Sequence, residues 1–303
     1  MQIIKHNNLT WIDINNPTPK DIEYLKNNFH FDQFILDELF IPTMRPKVEE
    51  YNYYLFMVLH FPIFIPRKKR TFSREIDFII TKDAIITTHY AAIEPLQVLF
   101  DSCSLSGANK EKAFGKNTGN LLYKIIEALF EFSFRELNHI QQKIDEVEEK
   151  ISRNPDATII ENIAIVRRDV ANFIRTIRPQ KTILDSLTIH GLKFFGEQIK
   201  PYITDMLGDY ARVMDALENH KEIIEALHDT HESLLTTKTN EIMKTLTILA
   251  LTVFPLTLIA AIFSMNTQIM PIVGQPNDFW IILGIMLAST IGIFSYFKMK
   301  KWL

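Results

Sequence analysis

The sequence predicts an α+β fold, with an N-terminal cytoplasmic α/β/α domain and a long stalk helix continuous with the first of two C-terminal transmembrane helices. Three observations lead to this prediction. Up to about Phe100, short stretches rich in Ile, Phe, Tyr and Thr alternate with turn residues, as strands do. From Asn120 onward, helical periodicity replaces them. The last fifth of the chain contains two long uncharged apolar runs, which are typical of membrane spans.

The N-terminal part, residues 1–118, is predicted to be the cytoplasmic α/β domain. Three stretches have the composition of strands: LTWIDI, YYLFMVLHFPIF and REIDFIITKDAIITTHY. A helical pattern between Pro19 and Phe40 interrupts them. We therefore expect helices packed on a mixed or antiparallel sheet.

Residues 119–193 are predicted to form a helical hairpin that turns at the sequence RNPD. Pro179 lies in its second helix, and we expect this proline to kink the helix rather than end it.

The stalk helix is assigned to residues 194–244. Its inward positions follow alternating spacings of four and three, the pattern of a heptad seam: Met206, Tyr210, Val213, Leu217, His220, Ile224, Leu227, His231 and Leu234. Such a helix needs partners, and a homo-oligomer supplies them.

The two apolar runs, residues 245–263 and 279–297, are each predicted to cross the membrane, since each spans roughly 28 Å as a helix. Lysines flank the runs on their outer ends, and the connecting residues 264–278 contain no Lys or Arg. By the positive-inside rule, the connection is an external loop and both termini are cytoplasmic. Residues 298–303 form a basic tail, and we expect a multi-pass protein of the cell inner membrane.

Several function classes are not indicated. The formal net charge of -3 gives no global basic excess for nucleic acid. The single cysteine, Cys103, fits a small buried residue. Residues 107–117, GANKEKAFGKN, lack the spacing of a phosphate-binding loop and are interpreted as a solvated loop. With no catalytic motif found, an enzyme is not indicated, and we expect no organic cofactor.

Histidines on the stalk invite a metal-site interpretation, because His228 and His231 are one helical turn apart. However, His220 and His231 occupy seam positions, where a hydrogen-bonded polar layer that fixes the register is the favoured interpretation. Asp229 also lies on the stalk, where a carboxylate near a subunit boundary could accept a hard cation.

Polar residues within the first span carry more information, because intramembrane polar groups normally face an interior or a pore. Thr247, Thr252 and Thr257 are the threonines concerned, with helix packing as the alternative role. Asn240 and Thr247 share one helix face with four apolar residues, Met243, Leu246, Ala250 and Phe254. Around an oligomer axis this stripe would line a pore that can gate by dewetting.

These residues resemble a known family, the CorA group of divalent-cation channels, marked by a Gly-Met-Asn tripeptide after the first of two C-terminal transmembrane helices. The segment TNEIMKTLTILALTVFPLTLIAAIFSMN is similar to the family's pore helix throughout. The ending KMKKWL resembles the family's basic tail, and RPKVEEYNYYLFMVLHFP resembles a pattern of its soluble domain. The resemblance thus covers nearly the whole chain.

The resemblance implies a homopentamer with a central pore and Mg²⁺ as both the transported and the regulatory ion. Ser264, Met265 and Asn266 would form the selectivity site at the external mouth. The pore lining would comprise Asn240, Met243, Leu246, Thr247, Ala250, Phe254 and Thr257. Asp229 matches the carboxylate that binds regulatory metal between subunits in the family. Two residues depart from the pattern, since Ser264 replaces Gly and Ile272 replaces an acidic residue that often follows Met-Pro in the loop.

The predicted function is therefore Mg²⁺ influx, with Co²⁺ and Ni²⁺ as further candidate ions, down the membrane potential and gated by intracellular metal. Two alternatives stay open. One is a zinc-transporting relative, whose tripeptide varies at the position of Met265. The other is a nonconducting membrane metal sensor or scaffold, which would tolerate changes at the mouth such as Ser264.

Overall fold

In a computed structural model, the described residues are 1–43, 45–65, 70–153, 158–265, 271–274 and 276–300. They form two compact units, Met1–His228 and Asp229–Leu303, which are described in turn.

A six-stranded mixed sheet lies at the centre of the first unit. Its strands are β1 (Gln2–His6), β2 (Leu9–Asn15), β3 (Lys47–Glu50), β4 (Leu55–Ile65), β5 (Arg70–Ile80) and β6 (Ala84–His89). Their spatial order is β1-β2-β6-β5-β4-β3. The β2–β6 pair is parallel and all other neighbours are antiparallel. The predicted mixed sheet is thus confirmed.

Helices cover both faces of this sheet, because successive side chains of a strand point to opposite faces. On one face Ile12, Phe56 and Ile79 pack with the small helices α1 (Pro19–Phe29) and α2 (Gln33–Glu38). On the other face Trp11, Met57 and Phe78 belong to the large core. The helices contributing to that core are α3 (Glu94–Leu105), α4 (Gly107–Phe114), α5 (Thr118–Arg153), α6 (Ile159–Ile177), α7 (Gln180–Phe195) and α8 (Lys200–Phe263). The result is the expected α/β/α layering.

The heptad seam is buried along most of its length. Met206, Val213 and Leu217 have no exposed surface, and His231 is equally buried. Leu234, at the end of the predicted seam, is 37% exposed. Cys103 is buried, as predicted, and burial raises the pKa of its thiol.

Several local predictions were wrong. Residues 107–114 form helix α4, because Ser106 caps its first turn and Phe114 is fully buried, so this segment is not a solvated loop. The helical pattern between Pro19 and Phe40 is two helices, since α1 ends where His30 adopts a left-handed conformation. Strands β1 and β3 were not predicted.

Pro179 ends a helix rather than kinking it. Helix α6 stops at Ile177, and α7 begins at Gln180 with Pro179 as its N-cap residue. A proline ring lacks the N–H that would continue the α6 ladder. In contrast, Pro255 lies inside α8, which continues through it to Phe263, as predicted.

The second unit contains the C-terminal part of α8 and a second long apolar helix, α9 (Asp278–Met299). Between them the structure describes residues 264–265, 271–274 and 276–277.

Candidate functional site

The predicted pore-lining residues all lie on the part of α8 that belongs to the second unit, from Asn240 to Thr257. At about 1.5 Å per residue this stretch is roughly 26 Å long. Helix periodicity places the seven residues within one arc of about 120°. All seven are exposed in the single chain, and Phe254, Met243 and Leu246 are 77%, 60% and 58% exposed.

The opposite face of α8 is less exposed. Its half-buried residues recur at helical spacing: Ile248, Thr252, Pro255, Leu256, Ile259 and Phe263. Helix α9 has a matching stripe of reduced exposure: Asp278, Ile282, Met286, Ser289, Thr290, Ile293 and Phe297. This is the pattern of two helices packed side by side. The predicted pore stripe therefore lies on the side of α8 turned away from its packed face.

The threonine hydroxyls of the stripe have a defined orientation. The Thr247 hydroxyl donates to the carbonyl of Met243 at 2.8 Å, and the Thr257 hydroxyl donates to the carbonyl of Val253 at 3.0 Å. A hydroxyl has one hydrogen and two acceptor lone pairs. Because the hydrogen is used within the helix, the lone pairs remain for a cation or for the hydrogens of its water shell.

The predicted mouth follows the last residue of α8. The Ser264 N–H bonds to the carbonyls of Ala260 and Ala261 at 3.0 and 3.3 Å, and the Ser264 hydroxyl donates to the Ala261 carbonyl at 2.9 Å. Its φ is not in the left-handed region, so the conformation does not require Gly. Met265 continues the turn by bonding to the Ile262 carbonyl at 3.2 Å and is 58% exposed. Asn266 lies outside the described residues.

The other departure from the family pattern, Ile272, has a φ of +79°, which is uncommon for a β-branched residue. Nearby, the carboxylate of Asp278 accepts hydrogen bonds from two backbone N–H groups. One oxygen accepts from the Gly274 N–H at 3.1 Å and the other from the Phe279 N–H at 2.7 Å. Asp278 was not among the predicted site residues, although an acidic residue in the first helical turn is a recognised sequence feature of a helix start.

The predicted regulatory residue, Asp229, is exposed on α8. Among the described residues of this chain, no group of three or more His, Cys, Asp or Glu side chains is placed to hold a metal ion. Asp229 can therefore contribute one ligand, and the remaining ligands would have to come from elsewhere, such as a second copy of the chain or water.

Within the described part of this single chain, His220 and His231 do not form the expected hydrogen-bonded layer. Within the described residues, His220 Nδ1 and both ring nitrogens of His231 are buried without a hydrogen-bond partner. Burial lowers the pKa of the His220 imidazole, and the Asp145 carboxylate opposes this shift. An uncharged His220 ring fits the apolar seam.

Fold and site together define a class of protein. Two helices, α9 and the segment that ends at Phe263, are long and apolar enough to cross a membrane, and one carries a mixed polar and apolar stripe on its open face. These features are those of a membrane protein with an N-terminal α/β/α domain and two candidate membrane-spanning helices.

The chain belongs to the family of CorA-like Mg²⁺ transporter proteins, whose profile matches residues 6–300. It is 28% identical to the cobalt/magnesium transport protein CorA of Thermotoga maritima over 97% of this chain and 83% of that protein. The complete structure of the CorA magnesium transporter from Methanocaldococcus jannaschii has the same fold, with a TM-score of 0.86, 21% identity, and coverage of 100% of this chain and 95% of that one. The cytoplasmic domain of ZntB from Vibrio parahaemolyticus is also similar in fold, with a TM-score of 0.61, 16% identity, and coverage of 76% and 88%.

Proposed function

We propose that the chain is a homopentameric channel that carries Mg²⁺, and also Co²⁺ and Ni²⁺, into the cell. Ions would move down the membrane potential, in a cell inner membrane with both termini cytoplasmic. The observation that carries the proposal is the exposed stripe of α8, which lies opposite its packed face in a chain that matches the CorA family over residues 6–300.

A single copy leaves this stripe in an energetically poor position. In a single copy, Thr247 and Thr257 would face lipid with the acceptor lone pairs of their hydroxyls unused, although the hydroxyl hydrogens are bonded within the helix. Around a central axis, the same side chains face one another and water. The apolar members, Met243 and Phe254 among them, then form constrictions that exclude water when the pore narrows.

The mouth is proposed to select the ion through its water shell. Mg²⁺ loses water reluctantly and usually keeps several waters when bound. A ring of Asn266 amide oxygens, one from each subunit, can accept hydrogen bonds from these waters without stripping them. The Thr257 and Thr247 lone pairs would offer further acceptors along the path.

The driving force needs no chemical fuel. An inward-negative potential contributes about 4.6 kcal/mol per doubly charged ion per 100 mV, twice the value for a single charge.

Regulation is proposed to come from Mg²⁺ held at Asp229 between subunits. An ion that binds the closed arrangement more tightly than the open one shifts the population toward closure as internal Mg²⁺ rises.

Flux into liposomes tests the channel directly. Purified protein is reconstituted into liposomes that contain a Mg²⁺-sensitive dye, and an inward-negative potential is imposed. The fluorescence of the dye is recorded when Mg²⁺ is added outside. We expect uptake with the natural sequence and little or none with Asn266→Ala. Gln268→Ala, which removes a neighbouring amide that the family motif does not include, is the matched control. Unchanged uptake by Asn266→Ala would remove this residue from the selectivity site.

The same assay separates the two alternatives. Repeating it with Co²⁺, Ni²⁺ and Zn²⁺ distinguishes a zinc transporter, which would move Zn²⁺ in preference to Mg²⁺. A nonconducting sensor or scaffold would assemble into intact oligomers, checked by native mass spectrometry, and yet pass none of the four ions.

A further inference from the structure

A groove between α6 and α8 in the first unit combines strong positive charge with an apolar floor. It has a volume of about 600 Å³ and is lined from α6 and the residues that follow it, and from the Lys221–Glu225 stretch of α8. Four of its side chains are cationic: Arg167, Arg175, Arg178 and Lys221. We refer to it as the α6–α8 groove. Its volume is within the range of small-molecule sites, about 300–1,000 Å³.

Arg167 and Arg175 of α6 and the C-cap residue Arg178 share one helix face, because they are spaced by eight and three residues. This positive concentration contrasts with the formal net charge of -3 of the whole chain. Two of the arginines are already held in place, since Arg175 donates to the Asn172 amide oxygen and Arg178 donates to Glu218 on α8. A guanidinium has five N–H donors, so each retains donors after these bonds.

The floor of the groove is aliphatic. Val170 and Ile224 are almost fully buried and Ile174 is 9% exposed, and all three line the groove. Small inorganic anions bind to cationic side chains, but an aliphatic floor adds nothing to their binding energy. A ligand that fills this groove should therefore carry several negative charges at one end and a flat or apolar group at the other. Glu225, half-buried at the edge, can accept hydrogen bonds from hydroxyl groups.

We propose that the α6–α8 groove binds a nucleoside polyphosphate. The phosphates would pair with Arg167, Arg175, Arg178 and Lys221, because arginine matches phosphate oxygens in a bidentate fashion and lysine serves as a point charge. The base would lie on the aliphatic floor, and the sugar hydroxyls would meet Glu225. The groove does not include residues 107–117, the segment that lacks the spacing of a phosphate-binding loop.

Isothermal titration calorimetry with ATP tests this site on the full chain in detergent, in buffer without Mg²⁺. We expect saturable binding of one ATP per chain and at least about tenfold weaker binding of pyrophosphate, which lacks the base. Arg167→Ala and Lys221→Ala should each weaken ATP binding by about tenfold, the size of one charge-assisted hydrogen bond. Both side chains are exposed, so neither change threatens folding.

Two further variants make the test specific. Arg168→Ala removes the adjacent exposed arginine, which does not line the groove, and should leave ATP binding unchanged. Ala171→Trp keeps all four cations but fills the groove from an exposed position in its lining, and should abolish ATP binding. Absence of saturable ATP binding would overturn the proposal, as would equal affinity for pyrophosphate or an equal loss in Arg168→Ala.

Discussion

Replacing Ser264 with Gly restores the tripeptide typical of the family, yet the structure predicts that the change weakens the end of α8. The Ser264 hydroxyl donates to the Ala261 carbonyl at 2.9 Å. Because its φ is outside the left-handed region, Gly would relieve no strain. Ser264→Gly therefore removes a hydrogen bond and adds backbone freedom, with no compensating gain.

The expected magnitude follows from these two losses. A hydrogen bond contributes about 0.5–1.5 kcal/mol to stability, and an exposed one belongs to the lower half of that range. Glycine in place of a residue with a β-carbon costs a further 0.5–1 kcal/mol, roughly, in helical conformations. The sum is about 1–2 kcal/mol, and a tenfold change corresponds to about 1.4 kcal/mol. Ser264→Ala loses the hydroxyl alone, which corresponds to about two- to fivefold.

Amide hydrogen exchange in the reconstituted full chain measures this opening directly. The N–H groups of Ser264 and Met265, which bond to carbonyls of the last turn, report on it. We expect exchange to accelerate by about tenfold in Ser264→Gly and by two- to fivefold, roughly, in Ser264→Ala. Exchange in Ser264→Gly as slow as in the natural chain would refute the argument, and would mean that Ser264 strains the turn instead of closing it.

Three further predictions concern charged groups. Burial, and next the Glu75 carboxylate, raise the pKa of Asp77 to about 7. The contribution of Asp77 to the free energy of unfolding should therefore be lost as pH rises from about 4 to about 7, at about 1.4 kcal/mol per pH unit at most. Asp77→Asn should flatten this pH profile in urea unfolding followed by circular dichroism, and an unchanged slope would contradict the assignment. Lys143→Met leaves the Asp169 carboxylate, 1% exposed and 3.0 Å from the Lys143 ammonium, without its ion pair and should cost about 3–5 kcal/mol, whereas adding Asp169→Asn should recover most of the loss. Asp229→Ala should raise Mg²⁺ uptake by liposomes at high internal Mg²⁺, and an unaltered response would separate Asp229 from regulation.

Most of the sheet could be predicted because its strands are long, β-branched and bounded by turn residues. The strands that escaped prediction are the two at the sheet edges, β1 and β3, which are short and have mixed polarity. Helix α4 escaped because its sequence, GANKEKAF, is polar apart from its last residues. It forms because Ser106 caps it and Phe114 enters the core, a tertiary contact that no local pattern contains.

Part of the candidate site could be predicted because, unlike α4, it depends on the periodicity of a single helix and not on a tertiary contact. Spacings of three and four place Asn240, Thr247 and Phe254 on one face without any knowledge of other elements. Which face packs could not be read this way, because both faces of this helix combine apolar residues with threonine, Thr247 and Thr257 on one face and Thr252 on the other. The half-buried stripe from Ile248 to Phe263 comes from packing in three dimensions, and only the structure identifies it.

In the proposed channel, threonine at these positions would serve a membrane helix and an ion path at once. A hydroxyl that faces lipid in an unassembled chain needs a partner for its hydrogen, and Thr247 and Thr257 provide one from the carbonyl four residues earlier. The hydrogen therefore costs little before assembly. After the proposed assembly, the lone pairs, which the helix leaves unused, would become the side of the hydroxyl that a cation or its water shell requires. Serine could make the same bond, but the threonine methyl group also keeps the lining partly apolar, which a gate that closes by excluding water needs.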